Sequence, residues 1–137
     1  MKVLGLDLGS RTCGVAISDV MGFLARPVET VRFEDDDYDA CLEKLQKHIK
    51  ENQIKKVVLG LPKHMNGDIG VRAEICLEFK EKLEEIGLEV IMWDERLTTM
   101  AAQRILISAD VSRKKRKKVI DQMAAVQILQ SYLDSQQ

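Results

Sequence analysis

The order of strand-like and helix-like segments constrains the fold of this 137-residue chain more than any other feature. Three strand patterns come first, joined by short turns, and this arrangement predicts an antiparallel meander. Strand and helix patterns then alternate, as they do in parallel crossover units. We therefore predict a single domain over residues 1–137, an α/β fold in which a mixed five-stranded sheet is flanked by α-helices.

The boundaries of these segments follow from hydrophobic periodicity and from turn residues. Strands are predicted at residues 2–8, 14–19, 26–33, 56–61 and 88–93. Helices are predicted at residues 36–52, 70–86, 98–108 and 119–134. The glycine-bounded segment GSRTCG joins the first two strands, and we expect Gly14 to permit a close hairpin turn there.

The cysteine content argues against a disulfide framework and against a zinc site. The chain has three cysteines, Cys13, Cys41 and Cys76, which are widely spaced and form no C-x-x-C pair. No apolar stretch is long enough for a secretory signal or a membrane-spanning helix. We therefore expect a cytoplasmic protein without a membrane partner.

Asp7 interrupts the first strand near its end. Strand alternation places it on one face with Val3 and Gly5, while the opposite face is entirely leucine. The glycine beside the carboxylate would leave room for the backbone of a ligand. Alternatively, Asp7 forms a turn ahead of Gly9, and spacing alone leaves both interpretations open.

Acidic residues also occur at the end of the fifth strand and at the start of the last helix. Asp94 and Glu95 end the fifth strand, where adjacent residues face opposite ways, so only one of them can join Asp7. Asp121 lies in the first turn of the predicted last helix, on one stripe with Ala124, Ala125, Ile128 and Tyr132. Taken singly, these acids can also be explained as solvated strand ends or as a complement to the helix dipole.

Together the three acidic positions predict a metal site, because carboxylates that converge repel one another and need a cation between them. Ligation by oxygen alone favours Mg²⁺ or Mn²⁺ over zinc. Two such ions roughly 3.5–4 Å apart support hydrolysis of a phosphodiester bond. The hypothesis is a nuclease in which Asp7 bridges the ions.

Six consecutive basic residues precede Asp121: Arg113, Lys114, Lys115, Arg116, Lys117 and Lys118. The run falls between two predicted helices and borders the proposed site. A basic run is often only a solvated loop, but phosphates attract such a cluster without regard to sequence. We predict that it engages nucleic acid and that binding weakens steeply with salt.

Four motifs match a known family in order and separation. They are DLGSRTCGVAISD at Asp7, VVLGLPKHMNGDIG around Gly60, MWDERLTT at Glu95 and VIDQMAAVQILQSYL at Asp121. Over residues 3–133 the chain resembles the YqgF family, also called RuvX, of the RNase H-like superfamily. The resemblance implies an RNase H-like sheet, and it implies Asp7, Glu95 and Asp121 as the catalytic, metal-binding acids.

The resemblance also implies a substrate. It favours maturation of the 16S ribosomal RNA precursor at its 5′ end, and the alternative is resolution of four-way DNA (Holliday) junctions. We expect Arg11, Lys63, Asn66 and Arg72 to contact the nucleic-acid backbone, although Arg11 can equally be solvated and the other three can belong to a plain strand–helix connection. Cutting both strands of a junction would need a homodimer, and the sequence leaves monomer and homodimer open.

Two rival functions come from other classes of protein. DLGSRTCG would also suit the phosphate hairpin of an ATP-binding domain of the actin and sugar-kinase type, but that architecture needs two lobes and a second glycine-rich loop. The other rival is a nucleic-acid-binding module that keeps the fold without catalysis. Such a module would be expected to lose acidic residues, whereas all three are present here.

Overall fold

The computed structural model describes residues 1–61, 71–94 and 113–136, with their side chains except at positions 61, 71–72 and 113–122. The strands are β1 (Val3–Leu8), β2 (Thr12–Ser18), β3 (Ala25–Arg32), β4 (Lys56–Leu61) and β5 (Glu89–Asp94). The helices in the described ranges are α1 (Tyr38–Glu51), α2 (Val71–Glu85) and α3 (Arg113–Ser135). The helix predicted at residues 98–108 lies outside these ranges.

The five strands form one sheet in the order β3-β2-β1-β4-β5. β1, β2 and β3 pair in antiparallel fashion, whereas β4 is parallel to both β1 and β5. The predicted meander followed by parallel crossovers is thereby confirmed. Because β1 lies at the centre, both of its faces are covered, and its two sets of alternating side chains enter two separate cores.

α1 and α2 cover one face of the sheet, called here the α1/α2 face. Leu4, Leu6 and Leu8 of β1 point into this core. The helices supply Cys41 and Leu45 from α1 and, from α2, Cys76, Phe79 and Leu83. Burying side chains of this size contributes roughly 1.5–3 kcal/mol each, so this face anchors the sheet.

α3 covers the opposite face, called here the α3 face. The core residues of this face are Val3, Ala16, Val58, Ala125, Ile128, Leu129, Tyr132 and Leu133. The predicted stripe of Ala124, Ala125, Ile128 and Tyr132 is indeed buried. Among the described residues, no helix is both long enough and apolar enough to cross a membrane.

Gly5 allows α3 to lie directly on β1. A Cβ atom at this position would stand 2.7 Å from Leu129 Cβ and 3.2 Å from the carbonyl oxygen of Ala125. The expectation that Gly5 leaves room for a ligand is therefore wrong, because the helix occupies that space. The sequence could not show this, since 120 or more residues separate Gly5 from the segment that covers it.

α3 begins at Arg113, six residues before its predicted start. The six basic residues therefore form its first turns and are not a connection between two helices. Lysine and arginine are good helix formers, and the run contains no glycine or proline. The prediction placed the start at residue 119 because the apolar period, which reports packing, begins only there. Asp121 consequently lies in the third turn of α3 rather than its first.

Gly14 lies inside β2 and not in the hairpin turn. β2 starts at Thr12, and the turn closes with a hydrogen bond of 2.6 Å that the Gly9 amide donates to the Thr12 carbonyl. Gly14 is the cross-strand partner of Asp7. Its missing side chain therefore affects the surroundings of Asp7 and not the path of the turn.

Candidate functional site

Asp7 is a half-buried carboxylate on the α3 face near the carboxyl end of β1. Its position follows from alternation, because Val3 belongs to the core beneath α3 and the leucines between belong to the other core. On one side its neighbour is Gly14. On the other side the parallel register ends at the pair Leu6 and Leu59, and one more step would bring Gly60 beside Asp7. Asp7 thus stands between two strand positions that carry no side chain.

Gly60 is a feature that sequence reasoning did not use, although it lies in one of the quoted motifs. Val58 packs under α3, so alternation places Gly60 on the α3 face as well. It pairs with Trp93 of β5. At this level β4 therefore contributes no side chain between β1 and the end of β5. The period of two along KVVLGL could have indicated this once the face was known.

The direction of α3 relates Asp121 to Asp7. The ammonium of Lys56, the β4 partner of Val3, lies 3.4 Å from the Tyr132 hydroxyl, so the end of α3 lies over the start of β1. Gly5 meets Leu129 and Ala125. α3 consequently runs antiparallel to β1.

The distances along α3 and along β1 from this contact to the two acidic positions are similar. Asp121 lies one turn of helix before Ala125, about 6 Å along the helix axis. Two residues beyond Gly5, about 7 Å along the strand, lies Asp7. The backbones of the two acidic positions are thereby brought to the same level of the sheet.

Alternation along β5 separates the two candidate acids at its end. Val90 and Met92 pack on the α1/α2 face, whereas Ile91 and Trp93 pack on the α3 face. Trp93 is fixed there by a hydrogen bond of 3.1 Å from its indole nitrogen to the Ser131 hydroxyl. Asp94 follows Met92 by two residues and therefore belongs to the face that is turned away from Asp7. Glu95 lies outside the described residues.

The distances between the three predicted carboxylates involve atoms outside the described part of the chain. Glu95 and the Asp121 side chain lie outside that part, whereas Asp7 is described with its side chain. Among the described side chains, no three of histidine, cysteine, aspartate and glutamate are grouped as metal ligands. The predicted metal site therefore remains a prediction.

The three cysteines form no disulfide and are buried in the core of the α1/α2 face. A hydrogen bond with the Cys41 thiol, together with burial, holds the pKa of Cys13 well above its ordinary value. The nearby Asp7 carboxylate raises that pKa further. Cys13 therefore stays a neutral thiol in the core of the α1/α2 face.

The predicted nucleic-acid contacts are described only in part. Arg11 is exposed in the turn after β1, and its guanidinium lies 3.6 Å from the Asp35 carboxylate, a weak surface pair. Arg72 is the second residue of α2, and its side chain is not described. Lys63 and Asn66 lie outside the described residues. The basic run occupies the first turns of α3, on the same helix as Asp121.

Comparison with known proteins gives relatives along almost the whole chain. A relative from Staphylococcus epidermidis, named "Putative pre-16S rRNA nuclease", is 57% identical over 136 residues, which cover 98% of this chain and 96% of the relative. A relative of the same name from Bacillus thuringiensis is 55% identical, over 98% of this chain and 99% of its own length.

Solved structures of low sequence identity share the fold. Thermus thermophilus RuvC in complex with a Holliday junction substrate matches with a TM-score of 0.64 at 14% identity, over 99% of this chain and 95% of that one. The fowlpox virus Holliday junction resolvase matches with a TM-score of 0.63 at 14% identity, over the full length of both chains. The predicted RNase H-like fold is thereby confirmed.

The family predicted from the four motifs is also confirmed. The profile of the family described as "RuvX: Holliday junction resolvase" matches residues 1–135. The relatives named above, which are more than 50% identical to this chain over nearly its full length, agree with this match. The chain belongs to the RuvX family.

Proposed function

We propose that this protein is a divalent-metal-dependent nuclease that hydrolyses a phosphodiester bond at the 5′ end of the 16S ribosomal RNA precursor. One observation carries the proposal. Gly5 seats α3 on β1 in a register that brings the backbone of Asp121 to the level of Asp7. The backbones of two acidic positions 114 residues apart in the chain thus lie at one level of the sheet, at the carboxyl end of β1, where α/β sheets place their sites.

Asp7, Glu95 and Asp121 are the residues that would hold the metal. The donor set fits a hard divalent cation, because it offers carboxylate oxygen without histidine or thiolate. Gly14, its partner on β2, and Gly60 of β4 place no side chain beside Asp7. Mg²⁺ or Mn²⁺ bound there would activate water and stabilise the leaving oxygen. The protein's own contribution is to fix the carboxylates and to position the nucleic-acid backbone.

We expect Glu95 to matter far more than its neighbour Asp94. Asp94 belongs to the α1/α2 face, which is turned away from Asp7, and the family resemblance favours Glu95. Glu95→Gln should therefore lower the cleavage rate by about 10³-fold, whereas Asp94→Asn should change it by less than about tenfold. The comparison uses single-turnover cleavage at saturating Mn²⁺. Equal losses, or a larger loss for Asp94→Asn, would contradict the assignment.

The names of the relatives favour ribosomal RNA as the substrate. The proteins from Staphylococcus epidermidis and Bacillus thuringiensis carry a name that refers to the precursor of 16S ribosomal RNA. Depletion of the protein in cells should therefore lead to accumulation of precursor with an unprocessed 5′ end. Complementation with the wild-type chain should restore the mature end, and complementation with Asp7→Asn should not. Normal 5′ ends after complete depletion would argue against this substrate.

Resolution of four-way DNA junctions is the second candidate. It is favoured by the description of the family and by the likeness to RuvC solved with a junction. Purified protein should be given a precursor RNA fragment and a synthetic four-way junction at equal concentrations. Faster cleavage of RNA supports the first candidate, and paired nicks in the junction support the second. Symmetric nicking would also require a homodimer, which sedimentation of the same sample would reveal.

The basic run should supply affinity for the nucleic-acid backbone. We expect replacement of Lys114 and Lys115 by glutamine to weaken binding several-fold at low salt, and to reduce the salt slope by about 0.7–0.9 for each phosphate that is no longer neutralised. Filter binding over a range of KCl concentrations measures both quantities. Lys80→Gln with Lys82→Gln, at positions on α2, is the matched control. If both double variants bind equally, the run does not contact the substrate.

Arg11, Lys63, Asn66 and Arg72 are proposed as further contacts to the backbone. The exposed Arg11 guanidinium is held only by a weak pair with Asp35, so a phosphate could displace that carboxylate. A cytoplasmic location is proposed because Cys13, Cys41 and Cys76 form no disulfide, as is usual in a reducing compartment.

A further inference from the structure

Thr30 of β3 carries a buried hydroxyl group that has no hydrogen-bond partner among the described residues. Such a group is unusual, because a buried hydroxyl that lacks a partner loses the hydrogen bonds it made with water. Ser18 of β2 provides the contrast. Its buried hydroxyl accepts a hydrogen bond of 2.8 Å from the Val3 amide and donates one of 3.0 Å to the Asp19 carbonyl. The unpartnered hydroxyl of Thr30 therefore requires an explanation.

The register of the sheet relates Thr30 to Asp7. Thr30 pairs with Gly14, and Gly14 pairs with Asp7, so the three residues form one row across β3, β2 and β1. Cys13 and Val31, which flank this row, pack on the α1/α2 face. Thr30 and Gly14 consequently belong to the α3 face, as Asp7 does.

Within the sheet, Gly14 is the residue that separates Thr30 from Asp7. β3 and β1 are two strand spacings apart, roughly 10 Å, and Gly14 places no side chain in that interval. Thr30 and Asp7 offer a hydroxyl and a carboxylate at its two ends. A space with polar groups on both sides suits ordered water, which is stable when it makes two to four hydrogen bonds.

We propose that Thr30 is a positioning residue for Asp7, acting through ordered water above Gly14. The Thr30 hydroxyl bonds to this water, and the water donates a hydrogen bond to the Asp7 carboxylate. The link satisfies the buried hydroxyl and restricts rotation of the carboxylate, so that its oxygens stay aimed at the metal. The inference rests on the proposed function, since it assigns Thr30 a role toward the metal that Asp7 would hold.

The test compares Mn²⁺ affinity with the stability of the metal-free protein. Thr30→Val keeps the shape of the side chain and removes the hydroxyl, while Thr30→Ser keeps the hydroxyl. Ser18→Ala is the matched control, because it removes a buried hydroxyl at the far end of β2. Mn²⁺ binding is followed by electron paramagnetic resonance, and unfolding of the metal-free protein by circular dichroism.

We expect Thr30→Val to weaken Mn²⁺ binding about tenfold, since groups that orient metal ligands typically affect metal affinity 10–100-fold. Thr30→Ser should stay within about twofold of the wild type, because it retains the hydroxyl. Ser18→Ala should lower the unfolding temperature and leave Mn²⁺ affinity unchanged, because Ser18 lies far from Asp7.

Unchanged Mn²⁺ affinity in Thr30→Val would overturn the inference, and a simultaneous rise in unfolding temperature would identify the hydroxyl as merely unsatisfied. Loss of affinity in both Thr30 variants would also overturn it, because the hydroxyl would not be the cause.

Asp7→Asn, measured in parallel, separates a failure of the proposed metal site from a failure of the role of Thr30. If Asp7→Asn binds Mn²⁺ like the wild type, the metal site itself fails and Thr30 has nothing to position. If Asp7→Asn loses Mn²⁺ and Thr30→Val does not, only the role of Thr30 fails.

Discussion

Asp7→Asn should lower the rate of precursor RNA cleavage by about 10³-fold or more while the protein remains folded. The substitution keeps the shape of the side chain and removes the negative charge that would hold the cation. A loss of this size corresponds to about 4 kcal/mol of transition-state stabilisation. Asp7 is half-buried between Gly14 and Gly60, so no neighbouring side chain in the described part of β2 or β4 replaces its carboxylate. Single-turnover cleavage of an end-labelled RNA at saturating Mg²⁺ measures the effect.

Asp134→Asn is the matched control for this experiment. It makes the same change on α3, at an exposed position near the helix end that lies over the start of β1, where Gln130 donates a hydrogen bond of 3.0 Å to the carboxylate. Its activity should equal that of the wild type. Both variants and the wild type should be purified in parallel, so that contaminating nucleases contribute equally. Cleavage by Asp7→Asn at the wild-type rate would remove Asp7 from the mechanism.

Gly5→Ala should lower the free energy of unfolding by about 2–3 kcal/mol, a large effect for one added methyl group. The new Cβ atom would stand 2.7 Å from Leu129 Cβ and close to the Ala125 carbonyl, so α3 must shift away from β1. A drop of about 10 °C in the unfolding temperature is expected. Because α3 carries Asp121, the folded fraction should also cleave more slowly than the wild type.

Gly22→Ala provides the comparison for that stability measurement. Gly22 has a φ of +78° and nothing within 4 Å of an added Cβ atom, so only backbone strain opposes the substitution. That strain costs about 1 kcal/mol, less than the clash at Gly5. Urea denaturation of both variants gives the two free energies. If Gly5→Ala is no less stable than Gly22→Ala, the packing of α3 on β1 does not depend on Gly5.

The sequence predicted the sheet because its signals are local. Alternation within each strand and the apolar period of α1 and α2 depend on neighbours a few residues away, and the parallel crossovers follow from the helices between strands. The start of α3 was missed for the same reason. A stretch of lysine and arginine shows no apolar period, yet its helix propensity extends the helix back to Arg113.

The site was only partly predictable because its relationships are not local. Asp7 and Asp121 stood out as carboxylates in apolar surroundings, but their common level depends on how Gly5 seats α3. Periodicity alone could not decide between Asp94 and Glu95. The family resemblance favoured Glu95, and the packing of Trp93 beneath α3 places Asp94 on the face turned away from Asp7. No sequence pattern marks Thr30, because the burial of its hydroxyl depends on how the α3 face of the sheet is covered.

The central claim is that Asp7, Glu95 and Asp121 meet around divalent cations, and anomalous diffraction from crystals soaked in Mn²⁺ tests it most directly. We expect one or two manganese peaks in contact with carboxylate oxygens of all three residues, on the α3 face at the end of β1. Manganese bound elsewhere, or an Asp7 carboxylate too far from the other two to share an ion with either, would contradict the account.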